Sequence, residues 1–435
     1  MRLSTAAACA ICLLSGWEFA ANAQQPTAVN QGAMGAAYMQ EGNLQDDFLR
    51  QETVMTRTHP ETDPLGVHAG SWLILPNVGM EEKYNDNIYA TNTAQIRDYV
   101  TTVSPSVAVR SNWNNGLVAF SATNADTFYA NHTSENTNDY SFNGNGRLDI
   151  TRQEYISVRG GYSEMHEDRT SPNNNFGLLP TVFSLSDAEF EYFNKLNRVS
   201  FTLDGIFNRY DYKNTATTTG FITETDRDRD EMTGSARIGY ELKPLFEAYV
   251  KGTYSEREYD HKVGADGYQR SSKGYSGTAG IALDLGGVTF GEIGVGYMSR
   301  TYDDSRFGTV SGPTANAALT WNVTPITTLR LVGQRTIEET ITFATPGFVA
   351  SVATLTVDHE LLRNFILNGA LNYSYNDYRE NTRRDTILGA NFGGTYLLNR
   401  YVNLGLKYSY HKQDSTVSTA SFAQNLALVS LNLRM

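Results

Sequence analysis

Segments in which apolar and polar side chains strictly alternate recur along most of the sequence. The segment 140–150 alternates Tyr, Phe, Gly, Leu and Ile with Ser, Asn, Arg and Asp, and 232–242, 365–375 and 402–411 repeat the pattern. Such alternation over about nine to eleven residues predicts a strand with one apolar and one polar face, long enough to cross a membrane. No apolar run of about 18 residues occurs, so the sequence excludes membrane-spanning helices.

The connections between these segments alternate in length. Tight turns are expected at 113–116, 151–153, 195–197, 243–244, 285–287, 322–325, 362–364 and 398–400. Longer polar connections are expected at 84–97, 131–137, 167–185, 213–229, 261–272, 303–309, 340–347, 379–383 and 413–419. Short periplasmic turns and long extracellular loops are typical of outer-membrane barrels. We therefore predict an all-β, transmembrane, antiparallel up-and-down β-barrel of about 18 strands, with about 16 as the alternative count.

The polar faces of the predicted strands carry charged residues. Because the apolar face of a membrane barrel must meet lipid, the polar face must line the lumen. A barrel of about 18 strands is too wide for side chains to fill, so we expect a water-filled lumen unless a loop or the N-terminal arm plugs it. Acidic and basic members could pair with each other, or line a substrate path. The candidate lumen residues are Arg110, Arg147, Asp149, Arg159, Asp204, Arg237, Glu241, Glu247, Lys251, Asp284, Arg330 and Lys407.

A secreted β-sandwich or propeller is the soluble alternative to the barrel. Polar faces alone do not separate the two, because a sandwich would turn them to solvent. The strand length, the alternation of short and long connections and the absence of a blade signature favour the barrel. A final alternating strand that ends at Met435 favours it as well, although an aromatic residue is more usual there.

The first residues predict export. Met1 and Arg2 precede an apolar stretch from Thr5 to Leu14, and Ala21-Asn22-Ala23 has the small-x-small pattern of a signal peptidase site. We predict a signal peptide over 1–23 with cleavage after Ala23, a polar periplasmic arm or disordered lead-in over 24–66, and the barrel over 67–435, in the bacterial outer membrane.

Composition and motifs argue against several function classes. The net charge of −12 makes nucleic acid an unsuitable partner. Both cysteines of the chain lie within the predicted signal peptide, so disulfides and thiolate chemistry are not expected in the exported protein. No histidine has a nucleophile motif beside it. We therefore predict no enzyme activity, no catalytic residues, no cofactor and no dedicated metal site. Acidic clusters such as 226–231 are expected to be solvated loop edges among lipopolysaccharide head groups.

Three segments carry a family resemblance. The residues Gly70 to Val78, Tyr84 to Ala90 and Asp98 to Pro105 resemble a β-barrel porin family of Gram-negative outer membranes whose members are often linked to exopolysaccharide or capsule export loci. The segments 148–152 and 166–172 fit the same pattern. The resemblance implies a conduit for polymer crossing the outer membrane, with polysaccharide and periplasmic export proteins as partners beside outer-membrane lipid and lipopolysaccharide. It carries no catalytic residues and leaves the oligomeric state open.

Two functions therefore remain in view, and a third is weaker. The first is exopolysaccharide secretion through a lumen lined by Arg and Lys. The second is a general or small-solute diffusion porin, whose lumen an inward-folding loop over 167–185 would constrict. The third is a passive surface barrel whose loops bind a partner.

Overall fold

The computed structural model describes residues 52–174, 177–218 and 220–435. The predicted signal peptide and the first part of the arm, 24–51, lie outside the described residues. The strands are β1 (Val67–Ala69), β2 (Trp72–Asn85), β3 (Asp98–Ser111), β4 (Gly116–Tyr129), β5 (Thr137–Thr151), β6 (Glu154–His166), β7 (Val182–Leu196), β8 (Val199–Tyr212), β9 (Thr215–Thr217), β10 (Gly220–Ile222), β11 (Arg229–Lys243), β12 (Phe246–Tyr259), β13 (Ser272–Asp284), β14 (Thr289–Tyr302), β15 (Val310–Thr324), β16 (Thr327–Glu338), β17 (Phe348–Leu362), β18 (Phe365–Tyr378), β19 (Arg384–Leu397), β20 (Val402–Ser415) and β21 (Phe422–Arg434).

Eighteen of these strands close into one antiparallel barrel, which confirms the predicted fold class and the higher strand count. Each of the barrel strands β2 to β8 and β11 to β21 pairs with its neighbour in the chain. The first and last of them, β2 and β21, pair from Asn77 opposite Arg434 to Asn85 opposite Leu426. The barrel is therefore closed and leaves no edge strand whose backbone N–H and C=O groups would need water or lipid as partners. The short strand β1 pairs with the start of β2, and β9 and β10 form a hairpin above the barrel.

Short and long connections alternate as predicted, which places the turn end of the barrel in the periplasm. Three single 3₁₀ turns lie in long connections, at Thr133–Glu135, Thr225–Arg227 and Ser418–Ala420. Within the described residues no helix is long and apolar enough to span a membrane.

The barrel strands are 12 to 15 residues long, which exceeds the predicted length. The difference arises at their extracellular ends, where the wall continues beyond the apolar band. There the outward-facing Asn138 donates to Asn124 at 3.1 Å, and Asn124 donates to Asp126 at 3.0 Å. Because both faces of the strands carry polar side chains there, the alternation of apolar and polar residues that predicts the strand ends is absent.

Buried apolar side chains form small clusters at the two ends of the barrel instead of one central core. Phe183, Tyr210 and Tyr212 pack together at the extracellular end. At the periplasmic end, Val54 packs with Ile366 and Leu397. The middle of the wall exposes its apolar side chains outward, as a lipid-facing surface requires.

Candidate functional site in the barrel lumen

The pairing register identifies the inward face of each strand. Arg237 lies opposite Lys251 on β12, whereas the adjacent pair Ile238 and Val250 is exposed on the outside. Because side chains alternate between faces and paired residues share a face, the same reasoning assigns every strand. It places all of the predicted lumen residues on the inward face: Arg110, Arg147, Asp149, Arg159, Asp204, Arg237, Glu241, Glu247, Lys251, Asp284, Arg330 and Lys407.

Most of the charged side chains on the inward faces of β5 to β14 form ion pairs with one another along the wall. The guanidinium of Arg237 lies 2.7 Å from Glu247, and the ammonium of Lys251 lies 3.5 Å from Asp204. Arg147 donates from Nε to Asp149 at 2.9 Å and covers the ring of Tyr155 at 3.7 Å. The acidic and basic side chains in this sector of the lumen therefore form a network of ion pairs.

Further ion pairs in the same sector involve residues that the sequence analysis did not single out. Arg159 lies 3.2 Å from Glu189, and the two side chains remain 50% and 36% exposed. Lys195 lies 2.7 Å from Glu241, and Glu292 lies 3.9 Å from Arg237. The signal was present in β7, where Asp187, Glu189 and Glu191 alternate with apolar residues. Their exposure on an inward face indicates solvent space within the barrel.

The opposite wall is charged as well, since Glu81 and Lys83 on β2 share the inward face with Lys407 on β20. Arg330 on β16 is exposed on the inward face, and Lys407 on β20 lies among small side chains of neighbouring strands, including Gly393 and Ser430. Asp284 differs from the other candidates because it lies at the periplasmic end of β13. Its Oδ1 accepts the backbone N–H of Gly287 at 2.9 Å, so Asp284 caps a turn.

Two loops meet over the extracellular mouth. Asn173, in the β6–β7 loop (residues 167–181), is 2% exposed, and its Oδ1 accepts the backbone N–H of Ile341 at 3.2 Å. Ile341 belongs to the β16–β17 loop (residues 339–347). Six barrel strands, β8 and β11 to β15, separate β7 from β16, so the two loops start from distant parts of the rim. Their contact narrows the mouth from above.

A buried arginine holds the start of the β6–β7 loop. Arg227 donates from Nη2 and Nη1 to the two carboxylate oxygens of Glu167 at 3.0 and 3.1 Å, and from Nη1 to Glu224 at 3.0 Å. Its guanidinium also covers the ring of Tyr212 at 4.0 Å. Burial alone would lower the pKa of Arg227, but the Glu167 carboxylate outweighs it and the pKa lies well above its ordinary value. The ion pair therefore stays charged.

A second buried pair fixes the same loop to the neighbouring connection. Arg169 donates from Nε and Nη2 to the two oxygens of Glu135 at 2.9 and 2.8 Å, and from Nη1 to the carbonyl of Gly177 at 3.1 Å. Such bidentate pairing is geometrically specific.

In the facing loop, burial would raise the pKa of Glu339, but Arg229 and Arg227 hold it below its usual value.

A carboxylate cluster lies on the outside of this rim. One oxygen from each of Asp211, Asp228 and Asp260 lies within 4.8 Å of the others. Arg209 donates to Asp211 at 2.9 Å and to Asp260 at 2.7 Å, and these bonds hold the pKa of Asp260 below its usual value. Arg209 therefore offsets part of the negative charge of the cluster.

The last part of the predicted arm, residues 52–66, follows the inner wall at the periplasmic mouth. Val54 is 1% exposed, packs against the inward-facing Ile366 and Leu397, and donates its backbone N–H to Thr328 at 3.0 Å. Arg57 donates to Glu360 at 3.0 Å. The segment then continues along the rim from β17 toward β2.

The end of this segment contacts the barrel seam. Arg434 on β21 donates to the carbonyl of Thr62 at 2.8 Å, and Arg400 donates to the carbonyl of Pro60 at 2.9 Å. Burial raises the pKa of Asp63, whose carboxylate accepts the backbone N–H of His59 at 2.6 Å. Residues 52–66 therefore lie against the wall from β15 to β2, and these described residues do not contact the rim between β5 and β12.

We expect Val54→Asp to release this segment, because a carboxylate would replace an apolar side chain in a buried apolar socket. The Arg57–Thr58 bond should then become a trypsin site in the folded barrel, which N-terminal sequencing of the product would identify. Val67→Asp, at an exposed position of β1, is the matched control and should leave that bond protected. Equal protection in both variants would contradict the anchoring role of Val54.

Comparison with known protein families identifies the family of this chain. The family model described as "Putative beta-barrel porin 2" matches residues 59–435, so the chain belongs to this family of outer-membrane β-barrel porins. No curated protein matches the sequence. Among solved structures, the outer membrane protein OpdK from Pseudomonas aeruginosa is similar at 11% identity, over 83% of this chain and 99% of that one, with a TM-score of 0.43. A mutant ferric enterobactin receptor from the same organism is similar at 10% identity, over 83% of this chain and 80% of that one, with a TM-score of 0.44.

Proposed function

We propose that this porin is a conduit for exopolysaccharide secretion. The observation that carries the proposal is the inner wall, where charged side chains of both signs remain exposed inside the barrel. Arg159 is 50% exposed there and Glu292 is 40% exposed. The resemblance of residues 70–105 to porins that are often linked to polysaccharide export loci supports the same cargo.

The chemistry of this wall suits a long polar polymer. Carboxylates and guanidinium groups such as Glu189 and Arg159 can exchange hydrogen bonds with sugar hydroxyl groups. Because most charges between β5 and β14 have a partner of opposite sign nearby, that part of the wall offers weak contacts instead of isolated, strong sites. Conduction requires binding that is weak and repeated, so that the cargo can enter and leave. A polymer could therefore advance from one contact to the next.

The loop contact at the mouth supports a gated form of this proposed secretion. A polymer leaving the cell would have to separate the β6–β7 loop from the β16–β17 loop. Loops that cover a channel are drawn from the less stable parts of a fold. In this account the Asn173–Ile341 contact opens during secretion, while the buried Arg227–Glu167 pair keeps the base of the loop in place.

A clean deletion strain tests the proposal. We expect it to lose extracellular polysaccharide and retain polymer in the periplasm, and the intact gene should restore secretion. Normal secretion together with altered uptake of small solutes would contradict the export role.

The loop contact also favours a second candidate function, a general or small-solute diffusion porin. Asn173 meets Ile341 over the lumen, as a constricting loop would. Swelling of proteoliposomes in sugars of increasing size discriminates between the two functions. A diffusion porin should admit monosaccharides at all times, whereas a gated conduit should admit few solutes until the loop contact is broken.

Neutralising the lumen arginines should shift ion selectivity toward cations. We expect the largest change for Arg159→Gln and Arg330→Gln, whose side chains are exposed inside, a smaller one for Arg237→Gln, which pairs with Glu247, and a shift of the same sign for Arg110→Gln. Reversal potentials in a salt gradient across a planar bilayer measure the shift. Arg335→Gln, on the outward face of β16, is the matched control, and an equal shift in that variant would contradict the assignment of faces.

A further inference from the structure

The charged residues within the periplasmic turns of the barrel are basic, while acidic residues such as Asp284 and Glu154 lie at the adjoining strand ends. Arg152, Arg198, Arg363 and Arg400 lie within four of the eight turns, and Lys243 ends β11 at a fifth. The residues that connect the strands at this rim are thus positively charged in a chain whose overall charge is −12.

These basic residues fall into two arcs with different surroundings. Arg363 and Arg400 lie beside the arm segment, where Arg363 is 4.0 Å from Glu61 and Arg400 donates to the carbonyl of Pro60. Arg152, Arg198 and Lys243 lie at three consecutive turns, in the part of the rim that the segment 52–66 does not reach. All three are exposed, and no carboxylate of the described residues lies within salt-bridge distance of them.

Each turn of this second arc pairs its basic residue with an exposed aliphatic side chain. Leu196 is 63% exposed and precedes Arg198 by two residues. The other two turns follow β-bulges whose unpaired residue is an exposed aliphatic: Ile150, 49% exposed, before Arg152, and Leu242, 58% exposed, before Lys243. The same combination of an acyl-chain contact and a cation therefore occurs at three adjacent points of the membrane boundary.

We propose that this arc, Arg152, Arg198 and Lys243, binds the headgroups of anionic phospholipids in the periplasmic leaflet. The aliphatic residues would contact the acyl chains while the cations contact phosphate, an arrangement in which each basic residue contributes to attraction at an anionic surface. A soluble acidic partner would not require exposed Ile150, Leu196 and Leu242 at the edge of the lipid-facing band. The proposal is independent of the cargo, since the arc lies outside the lumen.

The tryptophans offer a reporter for this lipid. Trp72, Trp113 and Trp321 all lie near the periplasmic ends of strands, and Trp113 occupies the turn next to the one that carries Arg152. The full-length protein is folded in phosphatidylcholine vesicles that contain increasing fractions of a brominated lipid, and its tryptophan fluorescence is recorded. Brominated phosphatidylglycerol should quench this fluorescence more strongly than the same fraction of brominated phosphatidylcholine. We expect an enrichment of about fivefold at low salt, which high salt should reduce.

The variant Arg152→Gln/Arg198→Gln/Lys243→Gln should abolish this enrichment, so that the two brominated lipids quench equally. Its matched control, Arg97→Gln/Lys262→Gln/Arg384→Gln, removes the same charge from exposed positions at the extracellular end and should behave like the wild type. Circular dichroism establishes that both variants are folded. Three outcomes would overturn the proposal: no preference for phosphatidylglycerol in the wild type, unchanged enrichment in the rim variant, or an equal loss in the control.

Discussion

Releasing the β6–β7 loop from the β16–β17 loop should raise the single-channel conductance severalfold. In the variant Asn173→Leu, the side-chain acceptor for the Ile341 N–H is lost and a partly buried backbone donor is left without its partner, at a cost of up to roughly 1–3 kcal/mol. The loops should then separate for a larger fraction of the time. Planar-bilayer recordings would show longer or more frequent open states at unchanged voltage.

Asn92→Leu is the control for this experiment. Asn92 is exposed in the connection between β2 and β3 and donates to the carbonyl of Ser418, away from the contact over the mouth. Its conductance should match that of the wild type. Identical recordings for Asn173→Leu and the wild type would mean that the loop contact does not limit the current.

Replacing Arg227 should produce the largest local loss of stability. Arg227→Leu leaves the buried carboxylates of Glu167 and Glu224 without their shared guanidinium, and breaking a buried pair in this way costs roughly 3–5 kcal/mol. Protection of the 167–174 amides against hydrogen exchange should then fall by about a hundredfold or more, if those amides exchange through local opening.

A double-mutant cycle separates the pair from the packing of the arginine. Glu167→Gln combined with Arg227→Leu should lose less protection than the sum of the two single variants, because the double variant no longer buries the unpaired Glu167 charge. Additive losses would show that the two residues act independently. Arg306→Leu serves as a control, because its guanidinium is half exposed and its partner Asp304 lies in a different loop.

The barrel itself was predictable because its signal is local and repeated. Alternation in segments such as 232–242 assigns the faces of β11, and the turn spacing gives the order of the strands. The start of β7 was one exception, since positions up to 185 were predicted to lie in a loop. Phe183 reverses the usual pattern there by pointing inward, where it is buried against Tyr210 and Tyr212.

The long-range contacts at the extracellular and periplasmic mouths could not be predicted from a local pattern in the same way. Asn173 and Ile341 are 168 positions apart, and Val54 and Thr328 are 274 positions apart. Nothing in the neighbouring residues distinguishes Asn173 from other loop asparagines or Val54 from a residue of a disordered lead-in. The length of the predicted loop over 167–185 did indicate that it could fold inward, but its anchors depend on the closed barrel.

Locking the mouth in a living cell tests the account most directly. Asn173→Cys/Ile341→Cys places two cysteines at the loop contact in a chain whose other cysteines, Cys9 and Cys12, lie within the predicted signal peptide. Expressed in the deletion strain, this variant should secrete polysaccharide when reduced, stop and accumulate polymer in the periplasm when oxidised, and resume after reduction. Undiminished secretion from cells whose crosslink is verified would contradict export through this lumen.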